Sequence, residues 1–282
     1  MNAKAMSLKA KIKNYAIKNN IAAQVVLQNF MFERFLARLS RSKYSQMFVI
    51  KGGMLIASLV GIDTRATMDL DATLRNLPLK KEEIEKAVRE ICAQHLDDDV
   101  RFEIKSIECI RKDDVYGGYC VKMQAFYETI VTPLSLDIST GDIITPAAVP
   151  YEFIGMFDNS IRIKLWVYNI ETVMDEKLEA IFSRGVFSTR PRDYYDIFIL
   201  EKTQEYDSDL VREAFIATAK HRGSYERIAD TKSIVKILKN NTDLHAMWNK
   251  YQKKFNYAAD ISFSQTIEAI NHLTECLYVN ND

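Results

Sequence analysis

The chain has 282 residues, of which 48% are hydrophobic and 27% are charged, as in an ordinary globular protein of one large or two modest domains. Its 38 basic and 38 acidic residues balance. No overall field therefore attracts a polyanion, and any surface for nucleic acid must be a local patch.

The four cysteines and the N-terminus indicate a cellular compartment. The cysteines show no CxxC pair and no metal-ligand spacing, which predicts reduced structural thiols. The basic N-terminus is not followed by the apolar run of a signal peptide, and no stretch approaches the length of a membrane span. We therefore expect a cytoplasmic protein with no membrane association.

The N-terminal region, residues 1–45, is predicted to be helical. Apolar residues recur at helical spacing from Ser7 to Leu39, in two pieces, with Ser7 as the first cap. A broad apolar stripe begins at Ala22. We expect this stripe to pack on a following sheet; a groove for a partner is the alternative.

The stretch from Met47 to Leu74 has the most informative pattern in the chain. Met47–Ile50 predicts a strand, Gly52-Gly53 a tight turn, and the apolar run Met54–Val60 a buried helix. Gly61 suits the left-handed end of that helix. The next seven residues alternate with period two and predict a second strand over 68–74, with Met68, Leu70 and Ala72 facing a core.

The same alternation places Asp69 and Asp71 together on the opposite face. Neighbouring carboxylates repel each other unless a cation lies between them, and Mg²⁺ prefers such oxygen ligands. The Gly52-Gly53 turn opens a helix, so its backbone N–H groups can face phosphate. Together these are the minimal equipment for phosphoryl or nucleotidyl transfer. Two solvated aspartates and an ordinary turn are the alternative, which D-x-D alone would favour.

Three adjacent segments carry a family resemblance: Lys51-Gly52-Gly53, Arg65-Ala66-Thr67 and Asp69-Leu70-Asp71. They resemble the first motif of the AbiEii/AbiGii-type (MenT-like) nucleotidyltransferase toxins, within the polymerase-β-like superfamily. The resemblance implies an α/β (α+β) fold, with a minimal nucleotidyltransferase mixed sheet, flanking helices and a helical C-terminal region. It also implies nucleotide contacts from Lys51, Gly52, Gly53, Arg65 and Thr67.

The region that completes the predicted core, over 46–168, is rich in strands. A helix is expected over Pro78–Leu96 and a solvated turn at Asp97–Asp99. Strands are predicted at Val100–Arg111, Tyr119–Tyr127, Pro133–Thr140 and Ile161–Tyr168, with a turn at Asp113-Asp114.

Asp137 lies in the predicted strand Pro133–Thr140, on the face opposite its apolar residues. The resemblance implies a third metal-binding carboxylate from a neighbouring strand, so the expected metal set is Asp69, Asp71 and Asp137. A strand-end aspartate facing water is an equal alternative.

Two later segments extend the resemblance to about Leu200: the helix containing Lys177, and the run Arg190–Ile197. Carried over by position, Lys177 contacts the triphosphate and Asp196 belongs to the last active-site motif, so both join Asp69 and Asp71 as catalytic residues. A solvated Lys177, and a structural ion-pair set of Arg192, Asp193 and Asp196, are the alternatives.

The C-terminal region, over 169–282, is predicted to be helical and to complete the active site, with further helices near 207–220, 225–239, 243–256 and 263–279. Its basic residues include Arg227, Lys232, Lys236, Lys239, Lys250, Lys253 and Lys254, with Tyr225, Tyr251, Phe255 and Tyr257 interleaved. This pattern indicates either a surface for RNA or a solvated helix face over an aromatic core.

The resemblance also implies an activity and its partners. These are nucleotide transfer from an NTP with Mg²⁺, an RNA acceptor such as the 3′ end of tRNA, and a separately encoded antitoxin in a toxin–antitoxin or phage-defence pair. The alternatives are a non-catalytic nucleotide-binding or scaffold protein derived from such an enzyme, and a nucleotidyltransferase that modifies protein hydroxyls. Neither the NTP nor the oligomeric state follows from the sequence.

Overall fold

A computed structural model describes residues 3–110 and 117–278 of the chain. The chain divides into two compact units. The first comprises Met1–Asp142 with Val149–Val167, and the second comprises Ile143–Ala148 with Tyr168–Asp282. The turn predicted at Asp113-Asp114 lies outside the described residues.

The first unit contains a seven-stranded mixed sheet with the order β3-β4-β5-β2-β1-β7-β6. Strand β1 is antiparallel to β2 and parallel to β7, and β2 is parallel to β5. The expected mixed sheet is thereby confirmed. The strands are β1 (Phe48–Lys51), β2 (Leu70–Leu74), β3 (Val100–Ile110), β4 (Gly118–Tyr127), β5 (Ile130–Thr140), β6 (Val149–Ile154) and β7 (Arg162–Val167).

Four helices belong to the first unit: α1 (Ala3–Lys18), α2 (Ala23–Arg41), α3 (Gly52–Val60) and α4 (Lys81–Cys92). Helix α2 packs against β5 and β7, and its apolar stripe is buried, which confirms the core prediction. Leu70 and Ala72 are fully buried on this side of the sheet. Met68 is 44% exposed, contrary to the prediction, because β2 begins only at Leu70.

Two local predictions in the first unit are wrong, and one strand was missed. Ser7 does not cap a helix, because α1 already begins at Ala3. The 97–99 turn is not simply solvated, since Asp98 forms a largely buried ion pair with Arg38 at 2.8 Å. Strand β6 was not predicted. It is short, contains Pro150 and forms an edge of the sheet, so neither its composition nor its periodicity distinguishes it from a loop.

The second unit is helical. Its helices are α5 (Ile170–Arg184), α6 (Pro191–Thr203), α7 (Ser208–His221), α8 (Thr231–Lys239), α9 (Thr242–Lys254) and α10 (Phe263–Glu275). Side-chain caps explain several starts: Asn169, Asp207, Asp230 and Asn241 each accept a hydrogen bond from a first-turn N–H. A 3₁₀ turn, Gly185–Phe187, follows α5. In the described part of the chain, no helix has the length and hydropathy needed to cross a bilayer.

Candidate active site

The first unit carries a row of polar side chains across its central strands. Lys51 of β1 is paired with Asp71 of β2, and Asp71 is paired with Asp137 of β5. Directly paired residues project from the same face of a sheet. The predicted carboxylates Asp71 and Asp137 are therefore neighbours, both half-buried, on the face opposite the core.

The glycine pair lies against this row. Helix α3 begins at Gly52, whose φ of 64° lies in the left-handed region that favours glycine. A Cβ at Gly52 would collide with the carboxylate of Asp71, and one at Gly53 would meet Thr67 Oγ1 at 2.5 Å. The absence of these side chains lets the amino end of α3 approach Asp71 closely, where the helix dipole favours negative charge.

Arg65 and Thr67 shape the segment that leads into β2. Both are 2% exposed, and the Arg65 guanidinium donates a 2.7 Å hydrogen bond to the Ala66 carbonyl. The Thr67 hydroxyl donates to the Asp69 carbonyl at 3.2 Å, and Asn29 of α2 donates to the Thr67 carbonyl at 2.8 Å. These contacts position Asp69, which is exposed. The contact of Arg65 and Thr67 with a nucleotide stays a prediction.

Lys51 has an internal partner that the sequence did not indicate. Its ammonium forms a 2.6 Å ion pair with Asp142, and both side chains are mostly buried. Burial opposes the charged carboxylate of Asp142, but the charge of Lys51 and hydrogen bonds from Lys51 and Ser139 outweigh it and lower the pKa of Asp142 to about 2. This ion pair stabilises both charges at the Lys51 end of the row of polar side chains. A phosphate contact by Lys51 remains a prediction.

Lys122 of β4 is a cation on the same face that sequence reasoning missed. It is exposed and donates a 2.9 Å hydrogen bond to Ser135, whose hydroxyl lies 3.4 Å from Asp137. The pKa of Lys122 is raised, first by its contact with Cys120 and then by the charges of Asp137 and Asp69. Lys122 therefore lies within the field of two predicted metal ligands. In the sequence, the only indication was that Lys122 falls on the polar side of an alternating strand.

The donor set suits a hard cation, although it is not a preassembled metal centre. Among the residues described, no group of three or more His, Cys, Asp or Glu side chains is placed to hold a metal ion. The carboxylates of Asp71 and Asp137 nevertheless lie on paired positions, and oxygen atoms are the ligands that Mg²⁺ takes. Asp69, Asp71 and Asp137 are the residues that would hold it.

The second unit contains a buried cluster of one lysine and two aspartates. Lys177 of α5 lies 2.8 Å from Asp193 and 2.8 Å from Asp196, both on α6. The side chain of Lys177 is 16% exposed and that of Asp196 is fully buried. Lys177 is thus not a solvated lysine, and it forms ion pairs with both Asp193 and Asp196. Asp193 is a partner that emerges only from the packing of two helices.

The family model described as "Nucleotidyl transferase AbiEii toxin, Type IV TA system" matches residues 34–269. JHP933 from Helicobacter pylori is similar at 18% identity and a TM-score of 0.49, covering 91% of this chain and 92% of that one. A putative nucleotidyltransferase from H. pylori has 19% identity and a TM-score of 0.49, with 89% and 93% covered. An antigenic nucleotidyltransferase-like protein from Paracoccidioides brasiliensis is similar at 14% identity and a TM-score of 0.40. The match covers 72% of this chain and 90% of that one. No curated protein matches the sequence.

Proposed function

Since the chain belongs to the AbiEii nucleotidyl transferase toxin family of type IV toxin–antitoxin systems, we propose that it transfers a nucleotide from an NTP to RNA in a Mg²⁺-dependent reaction. The observation that supports the proposal most directly is the placement of Asp71. It is paired with Asp137 across the sheet and lies against Gly52 at the start of α3. A cation-binding pair thus adjoins a helix end that favours phosphate.

In the proposed reaction, a hydroxyl oxygen of the acceptor attacks the α-phosphorus of the NTP. A new phosphorus–oxygen bond forms, the bond to the β-phosphate bridging oxygen breaks, and pyrophosphate leaves while the hydroxyl proton passes to solvent. Bound Mg²⁺ supplies charge neutralisation for the phosphates. Asp69, Asp71 and Asp137 supply its ligands, and the backbone of Gly52 and Gly53 faces phosphate.

Further contacts in the proposal come from the family resemblance. Lys177 is assigned to the triphosphate, for which its compact charge and three donors are suited, and Asp196 holds it in position. Lys51, Arg65 and Thr67 support the nucleotide-binding turn. Substituting each of these residues and measuring nucleotide transfer tests its contribution to activity.

The acceptor that we propose is RNA, in particular the 3′ end of tRNA. Exposed lysines on α8 and α9 provide local positive charge in a chain whose net charge is zero. A separately encoded antitoxin and a role in phage defence complete the proposal. Transfer to protein hydroxyls is the competing enzymatic hypothesis, and a non-catalytic nucleotide-binding scaffold is the competing hypothesis from another class.

The test is incubation of the purified chain with each α-³²P-labelled NTP, Mg²⁺ and a cell extract from which RNA and protein are then separated. We expect label on RNA, none when the metal is chelated, and none with Asp71→Asn. Label on protein alone would replace the acceptor and keep the transferase. NTP binding without transfer to any fraction would favour the scaffold.

A further inference from the structure

The most exposed large hydrophobic side chain among the described residues is Phe187, which is 88% exposed. It ends the 3₁₀ turn that joins α5 to α6, where Ser188 beside it is buried. A phenylalanine exposed to water forgoes the favourable free energy of burying its ring. The turn thus exposes an aromatic ring to solvent, while the adjacent Ser188 is buried.

The segments next to this aromatic ring are basic. The stretch 184–192 contains Arg184, Arg190 and Arg192 and no acidic residue. Helix α8 packs against the 3₁₀ turn, and it contains three lysines and again no acidic residue. Its Lys236 and Lys239 are exposed, as is the apolar Ile237 at 58%. The exposed cations Arg190, Lys236 and Lys239 thus lie on α8 and just beyond the 3₁₀ turn that it contacts, in a chain of zero net charge, and can attract a polyanion locally.

The aromatic side chains on and after α9, the other basic helix of this unit, are less exposed than Phe187. The aromatic residues on and after α9 pack on one another, with 4.7 Å between the ring centroids of Tyr251 and Phe255 and 4.8 Å between those of Tyr195 and Tyr257. Tyr251 is 5% exposed. This packing favours the alternative of a solvated lysine face over an aromatic core for α9, and the choice between the two stays a prediction.

We propose that the 3₁₀ turn and α8 form a binding surface for single-stranded RNA, with one base stacked on Phe187 and the neighbouring phosphates held by Arg190, Lys236 and Lys239. Stacking on an aromatic side chain beside backbone-tracking cations is the usual mode for single strands. The inference rests on the proposed RNA acceptor and locates where the acceptor is held. The turn begins eight residues after Lys177, which is about 12 Å along the axis of α5.

The first experiment measures contact directly and without NTP. The full chain with Phe187→Trp is titrated with a mixed-sequence single-stranded oligoribonucleotide, and the fluorescence of Trp166 and Trp248 in the wild type is subtracted. We expect strong quenching of the added indole by RNA and little by inorganic polyphosphate, which carries the charge but no bases. Ile154→Trp is the matched control, since Ile154 is 57% exposed in the first unit.

The second experiment measures affinity. Phe187→Ala should weaken oligoribonucleotide binding by about tenfold, while Phe187→Tyr retains it. The double substitution Lys236→Glu and Lys239→Glu should weaken binding and make the logarithmic salt slope shallower by about 0.7 per lost phosphate contact. The same charge change at Lys250 and Lys253 of α9 is the control and should have the smaller effect.

The outcomes separate this inference from the proposed activity. Quenching by RNA without nucleotide transfer would keep the surface and reject the transferase. Transfer to RNA with unchanged KM for RNA in Phe187→Ala would keep the transferase and overturn the surface. An added indole at position 187 that RNA does not quench, but that a protein from the same cells does, would also overturn it and indicate a protein partner.

Discussion

The two units use the same residue types in opposite ways. In the first, Asp69 is exposed, and Asp71 and Asp137 are half-buried on the polar face of a sheet beside backbone amides and one exposed lysine. In the second, Asp193 and Asp196 lie buried against Lys177. The first set of carboxylates is reached by solvent, whereas the second is buried against a lysine of the same unit.

Because of this difference, a substitution has to be interpreted differently in each unit. Removing a charge from the sheet face changes what the face can bind, because solvent still reaches the remaining groups. Removing the cation from the buried cluster takes one counter-charge from two buried carboxylates, which costs folding free energy whatever the role of the cluster in catalysis. A loss of activity therefore has a different meaning in each unit.

The largest effect on stability is expected for Lys177→Ala. With Lys177 absent, the buried Asp196 carboxylate loses its counter-charge, and unpairing a buried ion costs about 3–5 kcal/mol of unfolding free energy. Urea unfolding followed by circular dichroism measures this loss. Lys202→Ala is the control, since Lys202 is an exposed cation on the same helix as Asp196, and we expect a change within about 0.5 kcal/mol.

A second substitution sharpens this prediction. Adding Asp196→Asn to Lys177→Ala removes the stranded charge and should restore part of the lost stability. If Lys177→Ala unfolds at the wild-type urea concentration, the buried ion pair contributes nothing and the contrast between the units fails. Kinetics of Lys177→Ala are meaningful only where the variant is shown to be folded, and they then test the predicted contact with the triphosphate.

Asp71→Asn is expected to show the opposite pattern. The amide keeps the shape of the side chain and removes one charge from a repelling pair, so the unfolding free energy should change by less than about 1 kcal/mol. Activity should fall by roughly 10²–10³-fold, as when one preorganised electrostatic group is removed. Asp69→Asn should behave in the same way. Turnover at the wild-type rate by either variant would reject the metal assignment.

The Lys51–Asp142 pair predicts a pH dependence in the first unit. The pKa of Asp142 is lowered from its ordinary 3.8 to about 2, so the folded state binds this proton less readily than the unfolded state. Its stabilisation, about 2 kcal/mol, is fully present above pH 4 and is lost as the pH falls towards 2. The stability difference between the wild type and Asp142→Asn should therefore be largest near neutral pH and vanish near pH 2.

Local patterns were enough to predict part of this arrangement. The alternation at 68–74 placed Asp69 and Asp71 on the polar side, and the glycine pair marked the start of a buried helix, because both signals depend on neighbours in sequence. The resemblance added Asp137 and Lys177. The fold class followed from the same segments and is confirmed by the mixed sheet.

The remaining features depend on contacts that no local pattern encodes. The pairing of Asp71 with Asp137 requires a parallel register between strands 66 residues apart in sequence. The partnership of Lys177 with Asp193 requires the packing of α5 on α6. The pairing of Lys51 with Asp142 joins a strand to a loop far along the chain. In each case, the residue type was visible and the partner was not.

The smallest predicted effect concerns Lys122, the cation of the sheet face. Its ammonium lies in the field of Asp69 and Asp137, so it competes with any divalent cation for the same carboxylates. Lys122→Met should therefore bind Mn²⁺, used as a paramagnetic substitute for Mg²⁺, more tightly by roughly two- to fivefold, the range expected for one exposed charge pair. Electron paramagnetic resonance titration without NTP measures this affinity. Lys105→Met on β3 is the matched control, because Lys105 is paired with Glu103 and lies away from this row.

Weaker Mn²⁺ binding by Lys122→Met would show that Lys122 supports the site and does not compete with the metal. Equal affinity, together with an unchanged KM for NTP, would remove Lys122 from the site altogether.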